Sequence, residues 1–199
     1  MSSYLDACQT PFWREVFKKE FNYLLPLLKD YKNILSVGCG PAIIEAGLLE
    51  HGLDVSGMDV SKEALQGSPD KLRKFIGSAE NMDFFQDNMF DAAIYVTSLQ
   101  FITNYKKAIA ETHRVLKPGG KAIFMLLNPE SKHYSNWTRE PDSYMCKIKH
   151  LGLSDIENTI SNYFKIKTPE YFLGIDGEKV FESKDPKLAA LYVVKGIKN

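Results

Sequence analysis

The chain has 199 residues, 44% hydrophobic and 25% charged, a composition that suits one globular domain around a single large core. Basic and acidic residues balance at 25 each, so no net field draws the chain to nucleic acid or an anionic membrane, and a nucleic-acid substrate is not expected. No apolar run approaches the roughly 18 residues of a membrane span, and MSSYLDACQ lacks a signal-peptide layout; with the widely spaced Cys8, Cys39 and Cys146, this predicts a cytoplasmic protein with reduced thiols and no metal site.

Residues 10–29 carry Phe12, Trp13, Val16, Phe17, Phe21, Leu24 and Leu25 at i, i+3, i+4 spacing, which predicts an amphipathic helix. Thr10-Pro11 supplies its N-cap and first helical residue, and Pro26 is expected to kink or divide it. The segment ILSVGCGPA follows. An apolar strand, 33–37, runs into a turn carrying Gly38 and Gly40, then a helical pattern, 42–51, then a second strand, 54–59, ending in Asp59. This is one βαβ unit. Glycine permits positive φ and close backbone approach, and a helix start offers unpaired N–H groups. A carboxylate about 20 residues on is placed to accept hydrogen bonds from a ribose. Asp59 has a plainer reading as the N-cap of the segment beginning at Ser61. The predicted ligand is a nucleoside-containing cofactor. A dinucleotide fingerprint needs a small third residue, and Ile43 stands there.

Further along, the pattern predicts a helix at 62–66, a strand at 73–76 and the loop Gly77-Ser78-Ala79-Glu80-Asn81. A buried strand at 91–97, introduced by Phe90-Asp91, precedes a helix at 105–116. The phrase RVLKPGG, 114–120, then leads into the strand 121–127, its proline and glycines stopping the helix and turning the chain. In the last third, 144–151 reads as a short helix ending at Gly152, 154–167 as strand-like, and 188–194 as a final strand. The connection 168–184 contains an Asp176-Gly177 turn suited to a hairpin.

The spacing of Gly38, Gly40 and Ala42 resembles motif I of the class I S-adenosylmethionine-dependent methyltransferases. Phe90-Asp91 and RVLKPGG are similar to the small-molecule branch that includes the ubiquinone and menaquinone methyltransferases. The resemblance covers residues 32–127. It implies an α/β, Rossmann-like fold with a seven-stranded, mostly parallel sheet and an antiparallel last strand. It also implies one methyltransferase domain over 1–199, with a helical cap (1–31), a cofactor core (32–128) and a substrate-side segment (129–199). The implied cofactor is S-adenosyl-L-methionine and the implied partner a small organic acceptor. Carried onto this sequence, Gly38, Cys39 and Gly40 form the cofactor turn, Asp59 holds the ribose and Val60 packs on adenine. In the loop Ser78-Ala79-Glu80, the Ala79 N–H donates to the adenine ring and Ser78 accepts from its exocyclic amine. Thr97 lies where donor and acceptor meet. Three positions depart from the family: Ser36 and Ser78 replace carboxylates and Ala42 replaces a glycine. These predict weaker cofactor affinity and keep a catalytically silent relative as an alternative; a nicotinamide oxidoreductase is a second.

Methyl transfer asks little of protein groups beyond holding donor and acceptor in line. A base is needed only when the acceptor must lose a proton. His133 follows the fifth strand, where ligands gather in such sheets, and is the candidate base. Its bland reading is an exposed loop histidine. Tyr4, Trp13, Leu99, Phe101, Tyr134 and Trp137 are candidates for an apolar acceptor pocket.

Overall fold

The computed structural model describes residues 8–139 and 143–199. The first helix, α1 (Pro11–Leu28), starts at Thr10, whose hydroxyl accepts from the Trp13 N–H, and continues through Pro26 without being divided. Proline here lies within one turn of the end, where few hydrogen bonds remain to lose. Alternation of strand and helix then gives β1 (Asn33–Val37), α2 (Ile43–Glu50), β2 (Asp54–Asp59), α3 (Lys62–Leu65) and β3 (Arg73–Ile76). It continues with β4 (Phe90–Val96), α4 (Tyr105–Val115), β5 (Leu116–Leu127) and α5 (Lys132–Trp137). Side-chain caps at Ser61, Asn104 and Ser131 fix where α3, α4 and α5 begin.

The last third holds α6 (Leu153–Ser161), β6 (Phe164–Ile166), β7 (Glu170–Asp176), β8 (Lys179–Phe181) and β9 (Ala189–Lys198). Two expectations change here. Residues 154–161 are helical rather than strand-like, because Ile156 and Ile160 stand one turn apart and both are buried. The short helix expected at 144–151 is a single 3₁₀ turn, Tyr144–Lys147.

The sheet order is β3-β2-β1-β4-β5-β9-β7-β8. Strands β1 to β5 are parallel and β9 runs antiparallel to β5. Both β6 and β7 pair antiparallel with β9, so they act as one strand interrupted at residues 167–169. Counted that way, the sheet is the seven-stranded one expected plus β8, an edge strand turned back by the Gly177-Glu178 hairpin. Consecutive residues of the central strands face opposite sides and are both buried. Ile34 and Ile94 pack under α1 and α2, whereas Leu35 and Tyr95 pack under α4 and α6. This continuous hydrophobicity is what a sheet covered on two faces requires. No helix of the described residues is long and apolar enough to cross a membrane.

Strand order reverses between β1 and β4, and the crevice beyond the strand ends at such a point is where ligands bind in open α/β sheets. The turn leaving β1 is tightly wound: Gly38, Gly40 and Ala42 all have positive φ, of 71°, 53° and 57°. Ala42 thus adopts a left-handed conformation that glycine takes freely. An L-residue there carries about 1–2 kcal/mol of strain, against the roughly 0.4–1 kcal/mol by which alanine restricts the unfolded chain relative to glycine. Ala42→Gly would relieve that strain but give up a fully buried methyl worth about 0.8 kcal/mol, so the terms nearly cancel and its stability is expected to stay within about 1 kcal/mol of wild type. A denaturant titration that shows a loss of about 2 kcal/mol or more would contradict this account of the turn.

Candidate active site

The glycine turn is held from two sides. The Gly38 and Cys39 N–H groups donate to the Met58 carbonyl at 2.8 and 3.1 Å, and the Gly40 N–H donates to Asp59 Oδ2 at 2.9 Å. A Cβ on Gly38 would stand 2.5 Å from the Ser98 Cβ, so this glycine is required by space as well as by φ. The other Asp59 oxygen, Oδ1, accepts from the Ser61 N–H at 2.9 Å, while Ser61 itself caps α3. Asp59 is therefore not the helix cap. Each of its oxygens uses one lone pair on the backbone and keeps capacity for another donor.

Above these strand ends lies a cavity of about 650 Å³, lined by Gly38, Gly40, Asp59, Val60, Ser78, Ala79, Glu80 and Thr97 among others. Sequence reasoning and geometry bring these eight residues together. Val60 is 71% exposed, an apolar side chain presented to the opening rather than to the core. The loop after β3 is shaped by its own side chains: the Glu80 N–H donates to Ser78 Oγ, and Glu80 Oε1 accepts from the Asn104 N–H. Cys39 departs from expectation. It lines a smaller adjoining cavity of about 60 Å³, and a Cβ on Gly57 would meet its Sγ at 2.7 Å, so the thiol points back toward β2. Burial pushes that thiol well above the usual range, which leaves it an inert packing group.

The rest of the cavity wall is mostly apolar, with Glu20, Ser98, Thr103 and Lys149 as polar members. Trp13, Val16 and Phe17 of α1, Trp137 of α5, and Leu173, Ile175 and Leu191 of the antiparallel strands face it, joined by Phe101, Tyr144 and Met145. Of the aromatic candidates, Trp13, Trp137 and Phe101 are in this wall. Leu99 is sealed in the core, Tyr134 lies outside the lining, and Tyr4 falls outside the described residues. His133 also reaches the cavity, but it is not the exposed loop residue of the bland reading: it is 7% exposed, 4.4 Å from the Trp137 ring and 6.2 Å from Phe12. Burial among these rings lowers its pKa to about 4, so the imidazole is neutral near pH 7. A pH inflection near 6.5, the ordinary histidine value, is not expected from it.

Two residues that sequence reasoning passed over stand out. Glu20 and Glu45 are each only 3% exposed. Glu45 lines the smaller cavity and accepts a hydrogen bond from Ser36 Oγ at 2.5 Å. Glu20 lines the larger one. Every sealed side-chain polar atom of the described residues has a partner, so the Glu20 oxygens, which receive no hydrogen bond from them, open onto the cavity. A signal was present: Glu20 occupies the buried stripe Val16, Glu20, Leu24, Leu28, where a core helix ordinarily carries apolar residues. Burial first, and then the charge of Glu45, raise the Glu20 pKa from 4.5 to about 8, while burial raises Glu45 to about 6.

The sign of the stability effect follows. Between pH 4.5 and about 8 the folded chain holds the Glu20 proton that the unfolded chain releases, so stability falls as pH rises through that window. Glu20→Gln should remove this fall. Thermal melts are expected to show the variant gaining more over wild type at pH 8.5 than at pH 5; an equal gain at the two values would refute a buried, raised carboxyl at this position.

Comparison with known proteins agrees with the architecture. Residues 35–124 match the sequence profile of a family described as a methyltransferase domain. A ubiquinone biosynthesis O-methyltransferase of Alkalilimnicola ehrlichii is 29% identical over 65% of this chain and 60% of its own length. A sterol 4-C-methyltransferase of Caenorhabditis elegans is 30% identical over 48% of this chain and 31% of its own. The chain thus spans between 31% and 60% of the length of these curated relatives. Among solved structures, a methyltransferase of Archaeoglobus fulgidus dependent on S-adenosylmethionine superposes with a TM-score of 0.80 at 14% identity, covering 98% of this chain and 100% of that one. A Thermotoga maritima structure described as a possible histamine N-methyltransferase gives 0.75 at 19% identity, covering 92% and 89%. Sheet order and these superpositions together give this chain the Rossmann-like α/β fold of the solved methyltransferases, and its residues 35–124 match the methyltransferase-domain profile.

Proposed function

We propose that this protein transfers a methyl group from S-adenosylmethionine to a small, largely apolar organic acceptor. The observation that carries the reading is the continuity of one cavity of about 650 Å³, polar where it meets the ends of β1 to β3 and mostly apolar where it meets α1, α5 and the antiparallel strands, with Glu20 the acidic exception on α1. That volume lies within the roughly 300–1,000 Å³ typical of small-molecule sites. The residues fit the cofactor. Asp59 retains lone pairs for ribose hydroxyls, and the Ala79 N–H, which no described group accepts, is available to an adenine ring. Val60 offers an exposed apolar face beside them. When bound, the cofactor supplies an activated methyl group on a sulfonium, and the chain's task is to align an acceptor with it and exclude water. The aromatic wall of Trp13, Phe17 and Trp137 does both by excluding solvent from a flat or apolar acceptor.

Asp59→Ala should weaken S-adenosylmethionine by tenfold or more, since hydrogen bonds to a charged group are worth about 1.5–3 kcal/mol each. Calorimetry checks this beside a circular dichroism spectrum. An unchanged dissociation constant with an intact fold removes the ribose role.

His133 enters the mechanism as a neutral wall residue rather than as the base. With its pKa near 4 it is a weak proton acceptor at neutral pH. His133→Ala is therefore expected to lower kcat by less than about tenfold on a good acceptor, below the 10²–10⁴-fold that loss of a general base causes. The acceptor is first found by a turnover screen of phenols, thiols and amines. A loss of a hundredfold or more, with cofactor affinity unchanged, would restore His133 as the base.

A further inference from the structure

Glu20 and Glu45 make no contribution to the reading above, and their placement is costly. Two carboxyl groups, one on α1 and one on α2, are buried near enough for the charge of Glu45 to act on Glu20, and Glu45 is held by the Ser36 hydroxyl and its own backbone N–H. No lysine, arginine or histidine of the described residues forms an ion pair with them. A buried carboxylate without a counter-charge is unfavourable unless something supplies one.

The two cavities share Phe17, Gly38, Gly40, Val96 and Thr97 as lining. All but Phe17, which is on α1, stand at the ends of β1 and β4. They therefore lie between the nucleoside-side groups, Asp59 and Ser78 to Glu80 beyond β2 and β3, and the apolar wall beyond β5, β9 and β7. A cofactor with its nucleoside at the first group and its methyl group facing the second has its aminoacyl chain to house in this interval. That chain ends in an α-carbon that carries a primary ammonium and a carboxylate, and of the two only the ammonium is complementary to a carboxylate of the protein.

We propose that Glu45, held by Ser36 and backed by Glu20, receives the α-ammonium of the cofactor's aminoacyl chain in the recess beneath the Gly38–Gly40 turn. The proposal deepens the methyltransferase reading and rests on it. It gives Ser36 a physical reason: a carboxylate at that position would face Glu45 as a second negative charge, whereas serine donates a hydrogen bond to it. It also accounts for a carboxyl on the otherwise apolar stripe of α1. Burial raises both carboxyls and the charge of Glu45 raises Glu20 further, so the pair favours one negative charge over two.

The test is calorimetric and needs no turnover. Ligands are S-adenosylmethionine, its demethylated thioether product, the same thioether lacking only the amino group, and 5′-methylthioadenosine, which lacks the whole aminoacyl chain. In the wild-type protein the thioether without its amino group should bind at least tenfold more weakly than the intact thioether. Glu45→Gln should weaken S-adenosylmethionine and the intact thioether by tenfold or more, and Glu20→Gln by about threefold or more, while 5′-methylthioadenosine changes by less than twofold in both. Equal affinity of the wild-type protein for the thioether with and without its amino group overturns the proposal even if neither variant folds. So does an equal loss for all ligands in a folded Glu45→Gln, or no loss for any. If Glu20→Gln leaves the cofactor untouched yet abolishes binding of a primary-amine acceptor beside the bound thioether, the ammonium belongs to the acceptor and the assignment is overturned. If wild type binds neither S-adenosylmethionine nor 5′-methylthioadenosine, the methyltransferase reading itself fails, a result distinct from the others.

Discussion

The hydrogen bond from the Gly40 N–H to Asp59 Oδ2 ties the turn after β1 to the end of β2, and most of what makes this fold a ligand-binding one depends on it. A buried parallel pair such as β1 and β2 leaves backbone groups unpaired where the strands end. Here the Gly38 and Cys39 N–H groups close onto Met58, and Asp59 takes Gly40 and Ser61. Three residues of the turn enter the left-handed region as a consequence, and α2 starts directly afterwards. A carboxylate that ligates two separate backbone segments is rigid before any ligand arrives. Its remaining lone pairs are aimed by the fold rather than by the ligand, which reduces what binding must spend on ordering.

The same turn forms the roof over the least favourable chemistry in the molecule. Glu20 and Glu45 sit under it among apolar residues of the core face shared by α1 and α2. Leucine at position 20 would continue the stripe of Val16, Leu24 and Leu28 and strengthen that face. Polar residues that break a local rule of this kind, without a compensating partner in the protein, are characteristic of sites where stability is traded for function. The raised pKa values express that trade in pH: the fold tolerates Glu20 by favouring its protonated form, and Glu45 through hydrogen bonds from the Ser36 hydroxyl and its own backbone N–H.

Much of the scaffold was legible in the sequence because its signals are local. The apolar runs at β1, β2 and β3 are bounded by glycine or polar residues, and their limits follow from that punctuation alone. The caps at Thr10, Ser61 and Asn104 likewise act within three residues of themselves. The misreadings fall where the deciding interaction is distant. Residues 154–161 are rich in β-compatible types, yet Ile156 and Ile160 are drawn into a helix by packing against the face of the sheet beneath α4. Cys39 shares the cofactor turn in sequence, but the space beside Gly57 takes its thiol to the other side. His133 looked exposed because its burial comes from Phe12, about 120 positions earlier in the chain, as well as from nearby Trp137. Glu45 was hidden in a helix whose other polar positions are surface ones. Only the Ser36 contact across the turn reveals its direction.

Backbone strain gathers at the same place. Four non-glycine residues have positive φ among those described, and three of them, Ala42, Thr97 and Leu173, border the glycine turn or line the cavity. Thr97 is the most telling. A β-branched side chain is poorly suited to φ of 50°, yet its N–H is held by the Met125 carbonyl at 2.9 Å, so the parallel pairing of β4 with β5 enforces the conformation. Leu173, with φ of 70°, stands in β7 between Phe172, opposite Leu191, and Gly174, opposite Ala189, in an unbroken antiparallel register, and it lines the cavity. Each such residue costs on the order of 1–3 kcal/mol and persists only where its surroundings over-determine it. Both Thr97 and Leu173 line the cavity and both belong to the sheet or its immediate continuation, so backbone pairing fixes part of the cavity's shape, and side chains such as Trp137 and His133 complete its apolar end.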